Sequence, residues 1–308
     1  IETKDYISTN LQDLMRMEHL IFGQNIVPKR TVHSVLAGTH SSKLRGRWLD
    51  FEEVRLYVPG DDIRTIDWKV TARVGKTHTK VFNEERERPA FTVLDQTSMM
   101  FFGSEKYVKS VIAAQVAALS GYRILKKGDR FGGIVFNDHT LEVIKPRRNR
   151  KSILQYLKIT EAFNQKLVDR KFLKSNKHRL QEVLNRTAKS VTHDYVITII
   201  SDFRLADNQA YQMIQSMARH NDVILVHISD PLDELDFDAS GLLSDGDYQL
   251  PLKKGDGRTK QQWTQSSQAF KQQLDHMLNR YGIPYIVLDT LSPAELQIKD
   301  ILSRNLKK

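Results

Sequence analysis

Apolar positions along the chain follow three rhythms, and each predicts a different element. Short unbroken runs rich in β-branched and aromatic residues occur at 90–94, 195–201, 223–229 and 283–288, as expected of strands buried on both faces of a parallel sheet. Helical spacing marks 3–22 (Leu11, Leu14, Met15, Leu20, Ile21) and 104–125 (Val108, Val111, Ile112, Ala118, Leu119, Tyr122), the latter with Gly128 soon after it as a stop signal. Further helices are predicted near 149–163, 178–189, 208–219, 261–281 and after Ser292. Alternation of apolar and polar residues marks a half-exposed strand at 51–58. It also marks a hairpin, 131–136 with 140–144, turning at Asn137-Asp138-His139.

Strands alternating with helices predict an α/β fold with a doubly wound, mostly parallel sheet, to which the hairpin adds an antiparallel edge. Residues 1–88 read as an N-terminal helix plus a small β subdomain, and 89–308 as the α/β domain with a β excursion near 231–260, turning at Asp245-Gly246-Asp247. Residues 23–42 break every rhythm and read as a connector with one strand.

Each of the four apolar runs finishes in an aspartate: Asp95, Asp202, Asp230 and Asp289. If the strands run parallel, these carboxylates share one edge of the sheet, where open α/β sheets bind ligands. Asp230 and Asp289, each near a proline, read as caps of the following helices. Asp95 differs, because the hydroxyl residues Thr97 and Ser98 follow it at once.

A second dense stretch runs from 43 to 88. Pro59-Gly60-Asp61-Asp62 is a turn signal, and Arg64, Asp67, Trp68, Arg73 and residues 84–88 then alternate in sign. The simplest reading is a salt-bridged scaffold in which guanidinium groups clamp carboxylates and Trp68 supplies apolar area to hold them. The competing reading makes Asp61, Asp62 and Asp67 the metal site of a phosphohydrolase or nuclease, although the neighbouring arginines would compete for those carboxylates.

The 308 residues suffice for one large α/β domain with an appendage or for two domains. No cysteine is present, which excludes disulfides and thiolate metal sites and leaves oxygen or histidine as metal ligands. His33 and His40 lack nearby acids and read as surface. No apolar run approaches the roughly 20 residues that span a bilayer. The chain opens at Ile1 without a signal-like segment, so a soluble, cytoplasmic protein is expected. The net charge of +10, concentrated at Lys29-Arg30, Lys43, Arg45, Arg47, Arg147-Arg148, Arg150-Lys151 and 166–179, suits an acidic partner. Nucleic acid or another polyanion is the alternative, disfavoured because few aromatics interleave these runs. No glycine-rich phosphate loop or serine-histidine-aspartate arrangement is present, so no catalytic residue is assigned and an enzyme is not expected.

The block Gly60-Asp61-Asp62-Ile-Arg64-Thr-Ile-Asp67-Trp68-Lys-Val-Thr-Ala-Arg73, then Glu84-Glu85-Arg86 and Asp95-Gln-Thr97-Ser98-Met99, resembles domain-of-unknown-function family 58. Gly38-Thr-His-Ser-Ser, Lys127-Gly128-Asp129-Arg130, Ile200-Ser201-Asp202-Phe203 and Asp230-Pro231 fit the same pattern. The resemblance implies a von Willebrand factor A-like domain that works beside a MoxR-type AAA+ ATPase in chaperone-like assembly or remodelling, binding the ATPase or its client protein. It also implies a metal-ion-dependent adhesion site, in which an Asp-x-Ser/Thr-x-Ser loop, a distant threonine and a later aspartate hold magnesium or manganese. Asp95, Thr97 and Asp202 match their positions. Ser98 would serve only if the loop shifts by one residue, and Ser175 or Asn176 are stand-ins for the distant threonine. Met99 stands where a hydroxyl ligand belongs, and a thioether does not suit a hard cation, so metal binding is expected to be weak or nil.

Overall fold

The computed structural model describes residues 4–22, 49–84, 88–169, 176, 178–234, 241–244, 249–252, 272, 274 and 283–305. The connector at 23–42 with His33 and His40, the Gly38 block, the basic residues from Lys29 to Arg47, Ser175, the turn at 245–247 and nearly all of the helix expected at 261–281 lie outside the described residues.

Along the chain come helices α1 (Lys4–Ile7) and α2 (Leu11–Phe22), strand β1 (Leu49–Leu56), helix α3 (Trp68–Val74) and strands β2 (His78–Glu84) and β3 (Ala90–Asp95). Next are α4 (Lys109–Lys126), β4 (Phe131–Phe136), β5 (Leu141–Arg147), α5 (Arg150–Val168), α6 (Arg179–Ser190), β6 (Val196–Ser201) and α7 (Asn208–Ala218). Then follow β7 (Asp222–Ile228), α8 (Pro231–Glu234), β8 (Gly241–Ser244), β9 (Gln249–Leu252), β10 (Tyr285–Leu288) and α9 (Ala294–Asn305).

Six strands form one sheet in the order β10-β7-β6-β3-β4-β5, parallel throughout except for β5, which pairs antiparallel with β4 as the hairpin pattern predicts. Period-two alternation feeds both faces. Leu94, Phe131, Val135 and Ile200 enter one core with α2, α4 and α5, while Phe91, Val93, Ile134, Ile197 and Ile199 enter the other with α6 and α7. β3 is buried at every position, which explains its unbroken apolar run. β8 and β9 pair antiparallel, giving the β excursion its two strands.

Two boundaries differ from the sequence reading. The first helix breaks at residues 8–10, because the Asn10 carboxamide accepts the Asp13 amide at 2.9 Å and starts a new helix. The second of these helices, α2, does not belong with the small β subdomain. It packs on α4 and α5, burying Leu14 and Met17 in the α/β core, and the Thr9 and Leu11 amides donate to Asn164 Oδ1 and Glu161 Oε1, each at 2.8 Å. The chain accordingly separates into a unit formed by Ile1–Ala37 with Arg88–Lys308 and a small unit, Gly38–Glu87.

In the small unit β1 and β2 pair antiparallel, with a register shift between Phe51 and Glu53. Asp62 caps a 3-10 turn at Ile63–Thr65, and Asp67 caps α3 by accepting the Lys69 and Val70 amides. Trp68 does not hold the charged scaffold together as expected. It opens α3 and is 68% exposed, and the aspartates engage backbone amides and basic side chains instead.

Candidate functional site

The expected edge forms where β3 and β6 run side by side. Leu94 pairs with Ile200, so the next residues, Asp95 and Ser201, come level at the carboxyl ends, and Asp202 follows one step beyond. Ser201 Oγ donates to Asp95 Oδ2 at 2.6 Å, and Asp95 Oδ1 accepts the Thr97 amide at 2.9 Å. Asp95 is 3% exposed. Burial, with the neighbouring Asp202 charge second, pushes its carboxyl up to about 7 against these hydrogen bonds.

Asp202, 2% exposed, accepts the Arg204 amide on Oδ1 at 3.1 Å. Its Oδ2 faces Lys109 Nζ at 3.5 Å, and Lys109 is likewise 2% exposed. Between these residues the backbone is strained: Phe203 has φ 55°, a left-handed conformation that a bulky side chain seldom adopts. The Phe203 amide is held by Ser201 Oγ at 3.0 Å, and its ring is fully buried.

A third carboxylate, missed by the sequence reading, joins from the hairpin tip. Asp138 Oδ2 accepts the Ser98 amide at 2.7 Å, and Oδ1 accepts the Asn176 amide at 3.2 Å. The backbone of Asn176 is therefore tied to the Asp95 loop through Asp138. The signal lay in the hairpin turn Asn137-Asp138-His139, but only the adjacency of β4 and β3 brings that turn to Ser98. Lys109 was missed too; its signal is a lone basic residue opening an otherwise apolar helix face.

The hydroxyls of Thr97 and Ser98 are buried without a hydrogen-bond partner. Thr97 Oγ1 lies near enough to Asp95 to favour its charged form, but not in bonding geometry. Ser98, Met99, Phe101, Phe102 and Arg204 are half-buried and form the accessible rim. Magnesium or manganese would draw on Asp95, Thr97, Ser98 and Asp202. Two hydroxyls suit such an ion, but Asp202 already faces an ammonium and Met99 contributes no oxygen. Among the described residues no group of three or more histidine, aspartate or glutamate side chains is placed to hold a metal. The donor set does not fit a hard divalent cation.

The other aspartates are structural. Asp230 accepts the Leu232 amide on Oδ1, and on Oδ2 the Ser104 amide at 2.9 Å and the Thr290 hydroxyl at 2.6 Å. Asp289 accepts the Leu291 amide. Helix α4 starts five residues later than its apolar spacing predicts, because the Ser104, Tyr107 and Val108 amides bond to Asp230, Thr290 O and Tyr6 O, outside the helix. At Gly103 a Cβ would lie 2.0 Å from Tyr107 O, so this loop needs a glycine.

In the small unit, Asp61 takes Arg55 in a two-pronged pair at 2.7 and 2.8 Å and the Val58 amide at 2.9 Å. Asp67 caps α3 and meets Lys80 at 3.6 Å; the Val70 amide first, then the Lys80 charge and the Lys69 amide, hold it below the ordinary carboxylate range. With Asp62 also a cap, each of the three carboxylates of the hydrolase alternative is committed to the fold, and Arg55 rather than Arg64 or Arg73 makes the Asp61 clamp. Arg179, at the end of one basic run, is buried and donates to Asn137 O and Glu182, so it adds little to a polyanion-binding surface.

No helix among the described residues is long and apolar enough to cross a membrane. The sequence profile of the family described as "Protein of unknown function DUF58" matches residues 53–273. Uncharacterized proteins of Mycobacterium bovis and Mycobacterium tuberculosis are each 25% identical over 205 residues, covering 67% of this chain and 62% of theirs. The chain thus matches less than two thirds of the length of these relatives. Among solved structures, the conserved hypothetical protein BatB from Bacteroides thetaiotaomicron superposes with a TM-score of 0.38 at 13% identity, covering 72% of this chain and 100% of that one. Proximal thread matrix protein 1 from the mussel byssus gives 0.28 at 14% identity, covering 46% of this chain and 38% of that one.

Proposed function

Because this chain belongs to the DUF58 family, whose function is unknown, we propose that it is a non-enzymatic adaptor that binds another protein at the carboxyl edge of its six-stranded sheet. The partner is a MoxR-type AAA+ ATPase or the client it remodels, in the manner of a von Willebrand factor A-like module with a degenerate adhesion site. One observation carries the reading. Loops from three separate strands, ending at Asp95, Asp138 and Asp202, are hydrogen-bonded into one rim that leaves the Thr97 and Ser98 hydroxyls unpartnered. Polar groups placed under a half-exposed edge without partners are costly to the fold, and a ligand that supplies partners recovers that cost.

The test is capture of the full chain on an immobilised MoxR-type ATPase. Ser98→Arg forces bulk out through the half-buried rim from an enclosed hydroxyl position, so with its native melting temperature verified its capture should weaken at least about tenfold, the effect of a central interface residue. Asp202→Ala is the less clean variant, since it removes the carboxylate that faces the buried Lys109 ammonium. No capture of the native chain, or equal capture of native and Ser98→Arg, sinks the proposal. Magnesium-dependent phosphodiester turnover lost in Asp61→Ala would favour the hydrolase instead.

A further inference from the structure

Lys109 stands where helix electrostatics disfavours it. The first turn of α4 lies at the positive end of the helix dipole, a position that suits carboxylates. Lysine is also among the side chains that are almost never fully buried without a partner. Here the ammonium is inside, 3.5 Å from Asp202 Oδ2 and 5.5 Å from the centroid of the Phe102 ring. Its own amide donates to Phe102 O at 2.8 Å, so backbone and side chain both tie the start of α4 to the rim. Two unfavourable placements at one residue call for a compensating role, and the Asp202 carboxylate supplies it.

We propose that the Lys109 ammonium is a tethered, permanent substitute for the divalent cation of an A-type adhesion site. It holds Asp202 in place and lets the rim engage its partner without metal. The proposal rests on the reading of this edge as the partner-binding face. The geometry is consistent at each point. Asp202 is engaged by a charge that the chain itself carries, Met99 supplies a thioether where the adhesion-site pattern has a hydroxyl, and Asp138 organises the Ser98 loop by accepting the Ser98 amide. A divalent cation entering beside the ammonium would meet strong like-charge repulsion in a closed, low-dielectric site.

Manganese titration followed by electron paramagnetic resonance tests this on the full chain. Lys109→Met removes the charge at similar length, and Lys109→Met combined with Met99→Ser also restores the missing hydroxyl. The double variant should bind Mn2+ at least about tenfold more tightly than the native chain, the scale on which site-supporting groups alter metal affinity. Native protein that binds Mn2+ as tightly as the variants, or variants that gain nothing, would overturn the proposal. Because the substitutions remove the charge that faces Asp202, the native chain provides a second measure. Its melting temperature and its capture by the ATPase should be the same in chelator and in millimolar Mg2+ or Mn2+, and a metal-dependent rise in either defeats the idea. Capture that fails in both conditions defeats the adaptor reading alone, since the manganese titration still stands.

Discussion

Ser201 Oγ donates to Asp95 Oδ2 at 2.6 Å, joining the carboxyl ends of two adjacent parallel strands through a serine that also accepts the Phe203 amide. The bond favours the charged carboxylate, yet burial and Asp202 outweigh it, and the Asp95 carboxyl is pushed up to about 7. Folded protein therefore holds a proton that unfolded protein has released between about pH 4 and pH 7. Over that window the Asp95 contribution to stability is greatest at the acid end and declines as pH rises, levelling off above about 7. Chemical denaturation across this range should show a component of that sign, on the order of a few kcal/mol, which Asp95→Asn removes. A native-minus-variant difference that does not change with pH would refute the assignment.

Leu14 on α2 is fully buried in the α/β core. Leu14→Ala should lower the unfolding free energy by about 2–5 kcal/mol, the usual cost of emptying a leucine site. Urea melts followed by circular dichroism check this. A loss near zero would mean that the helix is not part of this core.

Asp138 holds two loops through their amides, one on each carboxylate oxygen, and Asp138→Asn keeps its shape while removing the charge and replacing one of the two acceptors with an NH2 group. Loss of a charge-assisted bond to a buried group predicts a cost of about 1–3 kcal/mol. Hydrogen exchange should report it specifically, with faster exchange at the Ser98 and Asn176 amides and little change at the Thr97 amide, which bonds to Asp95.

Gly103→Ala adds a carbon 2.0 Å from Tyr107 O, a distance that no real contact adopts, so the loop before α4 must move. The expected result is a lower melting temperature and weaker capture of the ATPase, because the same loop carries Phe102 over Lys109. A variant with native stability and native capture would show that this loop does not shape the rim.

The sheet was legible because its signals are local. An unbroken apolar run such as Ala90–Asp95 suits few places other than a strand covered on both faces, and the hairpin at 131–144 carries its own turn. Parallel strands that end alike put Asp95 and Asp202 on one edge, but that β6 lies beside β3 is a matter of strand order. What lay beyond reach depends on strand order and on bonds between distant residues. Asp138 reads as turn chemistry until β4 is placed beside β3, and α4 cannot be seen to start late until Asp230, Thr290 and Tyr6 are known to take the amides ahead of it. Likewise the amphipathic pattern of α2 says that it docks, but not on which unit.

The Tyr107 and Val108 amides find their acceptors on Thr290 and Tyr6, residues nearly the whole length of the sequence apart. The segment that crosses the strand ends therefore cannot settle until Thr290 has left the ribosome, since one of its clasps is made there. Strands β3 to β7 all precede Thr290 and can pair first, so the surface proposed to meet a partner matures after the strands that carry it.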